Sequence, residues 1–243
     1  MDRLKYRKIR SGGPTMARLY SLITFVGLMA VPATFVMGWR YDASAPASNY
    51  LFNLIAFLVF MSIHVIMMLP GFKKLVYGNP QSTSGERRIY VLVSVVTWVL
   101  LYVIHKPVPG FALPEVAWIQ FLGLCLFLLG FLMFFEGVTF EFLHAFMGTP
   151  GIDLSHTADS AAPLMTEGSY ANVRHPMYRG ALTYTFASLL VHPNAGQLLF
   201  VVMVALGFVL FIPFEERALI RSRGDEYIAY MKIVRYRILP GIW

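Results

Sequence analysis

Six long apolar runs dominate the chain, at 19–38, 50–69, 89–104, 116–135, 178–191 and 196–214, and they leave little sequence beyond their connections. A helix that crosses a bilayer core needs about 20 residues, within a range of about 17–25, because lipid satisfies no backbone polar group and each residue rises only about 1.5 Å. The first, second, fourth and sixth runs meet that length and the third is slightly short. The fifth has only 14 residues, roughly 21 Å of helix. It is expected to be re-entrant or to begin beneath the headgroups. Composition agrees, since 57% of the residues are hydrophobic and 14% charged, against about a quarter charged in soluble domains. The expected fold is all-α, a polytopic transmembrane bundle of about six spans closed by a C-terminal interfacial helix.

The formal net charge of +7 raises nucleic acid as a partner, but the basic residues sit beside the apolar runs, where they meet lipid headgroups instead. Placing the N-terminus in the cytoplasm puts 1–18, 70–88, 136–180 and 214–243 inside. Those segments hold 18 of the 20 Lys and Arg residues, and Arg40 and Lys106 alone lie outside. Both termini are therefore expected to be cytoplasmic. Ala43-Ser44-Ala45 resembles a signal-peptidase site, but the run before it is longer than a signal core, so an uncleaved anchor is expected. Met1 and Met16 both remain possible starts. A single cysteine, Cys125, excludes an intrachain disulfide and any zinc site built on cysteines.

Punctuation follows the runs. Pro70-Gly71 and Asn79-Pro80 break the chain after the second run, and His192-Pro193-Asn194 makes a tight hairpin between the fifth and sixth. Beyond Glu215, Asp225 is expected to cap an amphipathic helix whose buried stripe is Tyr227, Ile228, Met231 and Val234.

The densest chemistry lies in Tyr170-Ala-Asn-Val-Arg174-His175-Pro176-Met177-Tyr178-Arg-Gly180. Pro176 suits the first turn of a helix. Free amides there, with Arg174 and His175 ahead of them, form a place for an anion such as a carboxylate. Gly180 permits close approach of a ligand or a helix. Glu215-Glu216 stands at the inner end of the sixth run, where paired acids are costly unless solvated or partnered. The final hairpin returns 174–180 and 215–216 to one level. An anion-accepting helix start facing two carboxylates suits a zwitterionic cation. S-adenosylmethionine fits, as do several other ligands.

Leu164-Met165-Thr166-Glu-Gly168-Ser-Tyr170, then Arg174-His175-Pro176-Met-Tyr178-Arg-Gly180, then Glu215-Glu216 with Gly224-Asp-Glu-Tyr227 and Tyr230, closely resembles the isoprenylcysteine carboxyl methyltransferase and phospholipid methyltransferase superfamily over about 162–240. The resemblance implies an S-adenosyl-L-methionine pocket formed by Ala162, Pro163, Leu164, Met165, Tyr170, His175, Pro176, Met177, Tyr178 and Glu215. Two positions depart from it. Phe211 stands where prenylcysteine enzymes carry an arginine for the substrate carboxylate, and Ala162 stands where the family has a histidine. In the N-terminal half, His64, Leu69-Pro70-Gly71-Phe72-Lys73 and Glu86-Arg87-Arg88-Ile-Tyr90-Val-Leu92 resemble the methanethiol S-methyltransferase and NnrU-like branch, with Val65 in place of its usual serine.

The resulting expectation is an integral membrane methyltransferase acting on a small or lipophilic acceptor, thiol preferred. An NADPH-dependent sterol-type reductase and a non-catalytic NnrU-like protein are its alternatives. His64, Glu136 and Glu216 are the candidate proton acceptors for a thiol. Glu141 is read as loop-exposed, and His144, Asp153 and His156 as solvent or structural groups without the spacing of a metal site. The chain divides into a basic tail at 1–18, a four-span region at 19–135 and a cofactor-binding region at 136–243. Its expected partners are the bilayer and a lipid-like or small acceptor.

Overall fold

A computed structural model describes residues 14–78, 84–136 and 164–243. Eight α-helices run through them in chain order: α1 Pro14–Met37, α2 Ser48–Met68, α3 Pro70–Tyr77, α4 Ser84–Ile104, α5 Ala117–Phe135, α6 Pro176–Val191, α7 Ala195–Arg223 and α8 Asp225–Ile233. A 3-10 turn at Gly168–Ala171 precedes α6. Among the described residues the only β pairing is two isolated bridges, Tyr41 with Val108 and Ala112 with Asn194. The protein is an all-α membrane bundle.

Four helices, Ser48–Met68, Gly85–Ile104, Ala117–Phe135 and Ala195–Arg223, are long and apolar enough to cross a bilayer, and Leu22–Met37 is a shorter apolar one. Their outward faces carry Leu22, Leu58, Phe121, Leu128 and Leu210, all largely exposed. Such a continuous apolar surface suits lipid, not water. The short fifth run becomes α6, 16 residues long, and its brevity and polarity have one cause. It packs on α1, α5 and α7 and buries Gly180, Ala181, Tyr184, Thr185, Ala187, Ser188 and Val191. A helix sheathed by protein needs neither full length nor an apolar exterior.

Small residues set its closest contact. A side chain at Gly180 would meet the backbone nitrogen of Phe134 at 2.3 Å, and one at Gly130 would meet that of Tyr184 at 2.4 Å. Helices α5 and α6 therefore approach nearly backbone to backbone, as small residues permit in membranes. The close approach at Gly180, open to ligand or helix in the sequence, is made by α5.

Beneath this pair, Phe35, Trp39, Phe57, Trp98, Leu101, Tyr184, Phe200 and Met203 form the main core. At the end of the bundle away from Glu215, buried amides tie the connections down. Asn53 donates to Lys106 O at 2.8 Å and accepts from Lys106 N at 2.9 Å. Gln197 accepts from Trp39 N at 3.0 Å and donates to Ser188 Oγ at 2.6 Å. Asn194 caps α7 by accepting from Gln197 N at 3.0 Å, as its place in the hairpin requires.

Several boundaries differ from the sequence expectation. Pro70 does not simply stop the chain but opens the short helix α3, which ends on Gly78 at φ 70°. Helix α4 starts at Ser84, before its apolar run, because Glu86 forms a buried pair with Lys73 of α3 at 3.3 Å. Helix α7 runs through Pro213 to Arg223. Gly224, at φ 56°, precedes α8, so Asp225 is its first residue and not its cap. The buried stripe of that helix and its end is Tyr227, Tyr230 and Val234, with Ile228 turned outward. Helix α8 docks on α7 and on Leu164, and that docking selects the tyrosine face.

Candidate functional site

Pro176 begins α6, and no side chain caps that end. The chain ahead of it is clamped to the segment after α8: Arg174 N donates to Tyr236 O at 2.9 Å and His175 N to Arg237 O at 2.8 Å. These bonds fix Arg174 and His175 against the inner end of α7, where Glu215 and Glu216 stand on successive faces of the helix.

The two acids have different surroundings. Glu216 is buried and accepts from Arg174 Nε at 2.7 Å, from Arg237 Nε at 2.9 Å and lies 3.3 Å from His175 Nε2. Arg174 spends its remaining described bonds on Val234 O and Arg235 O, at 2.8 and 2.7 Å. Charge-assisted bonds of this kind satisfy both buried ions. Arg174 is occupied by Glu216 and two carbonyls, and two guanidiniums stabilise the Glu216 charge. Arg237, not singled out in the sequence, completes this cage.

Glu215 is freer. Its side chain is 32% exposed, and one oxygen, Oε2, accepts from the Tyr178 hydroxyl at 2.8 Å and lies 3.5 Å from His175 Nδ1. The rings of His175 and Tyr178 are parallel within 2° with centroids 5.4 Å apart, and Tyr178 stacks on Phe208 at 4.7 Å. The α6 start and the acid pair adjoin. The gap between them is closed by a direct hydrogen bond.

Tyr170 lies just ahead, in the 3-10 turn, and Tyr230 donates to its carbonyl at 2.8 Å. Burial raises the Tyr170 hydroxyl above the usual tyrosine value, and the Glu215 charge adds to the rise. A cleft of about 470 Å³ adjoins this turn, lined by residues that include Leu164, Thr166, Ala171, Glu226 and Tyr230. Tyr178, His175 and Glu215 do not line it. Leu164 N donates to Glu226 Oε1 at 3.4 Å, and Met165 is 38% exposed. Ala162 and Pro163 lie outside the described residues, as do Glu141, His144, Asp153 and His156.

The other two candidate bases lie apart. Glu136 ends α5 and is 53% exposed, 3.8 Å from Arg179 Nη2. It is a solvated partner of that arginine. His64 lies inside the bundle on α2. Its Nε2 is 2.6 Å from the Tyr90 hydroxyl and its Nδ1 is 3.0 Å from Ser94 Oγ. Tyr90 entered the sequence reading only within the run 86–92, without a role, and Ser94 was not singled out. The signal that could have found them is a hydroxyl pair at i and i+4 on one face of α4. Among the described residues no cluster of three or more His, Cys, Asp or Glu could hold a metal ion.

A family model described as phospholipid methyltransferase matches residues 118–225. The chain is 30% identical over 222 residues to a methanethiol S-methyltransferase of Mycobacterium tuberculosis, covering 87% of this chain and 86% of the relative. It is 27% identical over 238 residues to methanethiol S-methyltransferase 2 of Bradyrhizobium diazoefficiens, covering 95% and 87% respectively. Methanethiol S-methyltransferase 1 of the same organism is 29% identical over 225 residues, covering 89% and 74%. No solved structure matches the chain. The matched region spans the α5–α6–α7 unit that joins Tyr178 to Glu215, and the relatives extend the likeness through α1 to α4; the protein belongs to the phospholipid methyltransferase family of membrane methyltransferases.

Proposed function

We propose that the protein transfers a methyl group from S-adenosyl-L-methionine to a small or lipophilic thiol, with the donor held at the start of α6 on the cytoplasmic side. The observation that carries this reading is the Tyr178–Glu215 hydrogen bond at 2.8 Å, with His175 stacked beside it. A partly exposed carboxylate among aromatic rings suits a cation, and the uncapped amides of α6 suit a carboxylate. The residues therefore fit a zwitterion that carries both. Bound there, the donor supplies an electrophilic methyl group on a positively charged sulfur. Tyr178, His175 and Phe208 would orient it, and the surrounding helices would exclude water, so that catalysis comes chiefly from alignment.

Two features support a thiol acceptor. Phe211 faces the His64 ring with centroids 6.3 Å apart, so this position offers no cation for a substrate carboxylate. The relatives that match along most of the chain are named for methanethiol. Purified protein in lipid discs, given methyl-labelled donor and a panel of alkanethiols, prenylcysteines and amino-lipids, is expected to label the thiols. Label on prenylcysteine or amino-lipid alone would refute the acceptor assignment.

A further inference from the structure

A thiol must lose its proton to become a good nucleophile, and the two carboxylates offered by sequence as bases are both engaged elsewhere. A polar group inside the bundle, near the inner end of α4, is the His64–Tyr90–Ser94 cluster. An ionisable residue within a span is costly to bury and is a functional-site candidate, and hydrogen-bond donors in this cluster can be assigned. Ser94 Oγ donates to Tyr90 O at 2.8 Å, one turn back on α4. Its oxygen therefore accepts from His64 Nδ1–H at 3.0 Å. Nε2 is left bare, and it accepts from the Tyr90 hydroxyl at 2.6 Å. The Tyr90 oxygen keeps lone pairs for a further donor.

Location joins this cluster to the proposed donor site. Tyr90 is 6% exposed, and the His64 ring it bonds lies 6.3 Å from that of Phe211 on α7, one turn before Glu215. Phe60 and Phe211 flank His64. Arg87 lies over the Tyr90 ring at 5.8 Å, and the Lys73–Glu86 pair is nearby on α3 and α4. The cluster thus adjoins Phe211 of α7, one turn before Glu215, and offers one hydroxyl acceptor among aromatic rings.

Resting on the thiol reading above, we propose that Tyr90 is a catalytic residue which takes the acceptor proton and relays it to His64. The S–H bond breaks as its proton joins the Tyr90 oxygen, and the original Tyr90 proton passes to His64 Nε2. An acceptor-sulfur electron pair forms the new carbon–sulfur bond as the methyl–sulfur bond of the donor breaks, and the pair of that bond stays on the donor sulfur. One positive charge leaves the donor and one appears on the imidazole, so the bundle gains no net charge; solvent later takes the proton. Glu215 and Arg87 are the charges that bias this transfer, with opposite signs. His64 positions Tyr90 and stores the proton.

The test compares Tyr90→Phe and His64→Gln in lipid discs, with an alkanethiol and with thiophenol, which is far more acidic and needs little help to ionise. Positioned proton transfer contributes about 10²–10⁴-fold. The relay predicts a loss of at least about 100-fold with the alkanethiol, a much smaller loss with thiophenol, and unchanged affinity for S-adenosylhomocysteine. Alkaline pH should narrow the alkanethiol deficit. Equal losses with both thiols, or lost S-adenosylhomocysteine affinity, would make the cluster structural and overturn the relay. Undiminished alkanethiol turnover would overturn it too. Failure of the unaltered protein to methylate any thiol refutes the acceptor reading itself, which is a separate result.

Discussion

Replacing Arg174 by methionine should destabilise the protein more than any other change at the charged end of the bundle. The guanidinium gives Glu216 its 2.7 Å bond and also supplies Val234 O and Arg235 O. Its side chain is 6% exposed and that of Glu216 is 4%, so water cannot substitute freely. Removing one partner of a buried ion pair costs about 3–5 kcal/mol because the other charge is left behind. For a chain of this size about 1 kcal/mol shifts the midpoint by roughly 2–4 °C, so the expected fall is roughly 6–20 °C. Arg237 limits the effect, since its 2.9 Å bond to Glu216 survives. Thermal unfolding in detergent, followed by tryptophan fluorescence, measures it. The double variant Arg174→Met, Glu216→Leu should recover much of the loss, because apolar side chains of similar volume replace such pairs at little cost. Arg237, 29% exposed, would then turn to solvent. A single variant as stable as the unaltered protein would refute the claim that this pair is structural. So would a double variant worse than the single.

Glu215→Gln should lower affinity for S-adenosylhomocysteine at least tenfold, roughly 1.4 kcal/mol, with an unchanged melting midpoint, since the amide oxygen can still accept from Tyr178. Calorimetric titration reads the first, and a fall in stability without loss of affinity would contradict the division of labour between the acids. Gly180→Leu should separate α5 from α6, since even a Cβ meets Phe134 N at 2.3 Å. Overpacking costs about 1–3 kcal/mol, and a normal midpoint and yield would contradict it. Burial pushes the Tyr230 hydroxyl up to about 12, above the usual value of about 10. Its folded value is the higher one, so its contribution to docking of α8 is whole below pH about 10 and lost as pH rises through about 12. The difference in tyrosinate absorbance between the unaltered protein and Tyr230→Phe should therefore appear near pH 12, and ionisation near pH 10 would refute it.

Hydropathy carried the bundle, because lipid imposes a length and an exterior that can be read residue by residue. It marked α6 as short, and the reason is physical: a helix packed on α1, α5 and α7 answers to its neighbours and buries Gly180, Thr185 and Ser188 among them. Chain reversal at His192-Pro193-Asn194 was legible because each residue has turn chemistry, and so was the meeting of Tyr178 with Glu215 that follows from it. The roles of Glu215 and Glu216 were not legible. They are adjacent and identical, and only the third dimension brings Arg174 and Arg237 to one of them. His64 could be noticed as an ionisable group in a span, but its partners Tyr90 and Ser94 lie on another helix, whose packing against α2 no spacing reveals.

An experimental structure of the protein bound to S-adenosylhomocysteine tests the central claim most directly. The ligand is expected against Glu215 and Tyr178, near Tyr170, with its carboxylate at the start of α6 and Arg174 still bonded to Glu216. A ligand seated elsewhere, with the Tyr178–Glu215 bond untouched and buried beneath protein, would contradict it.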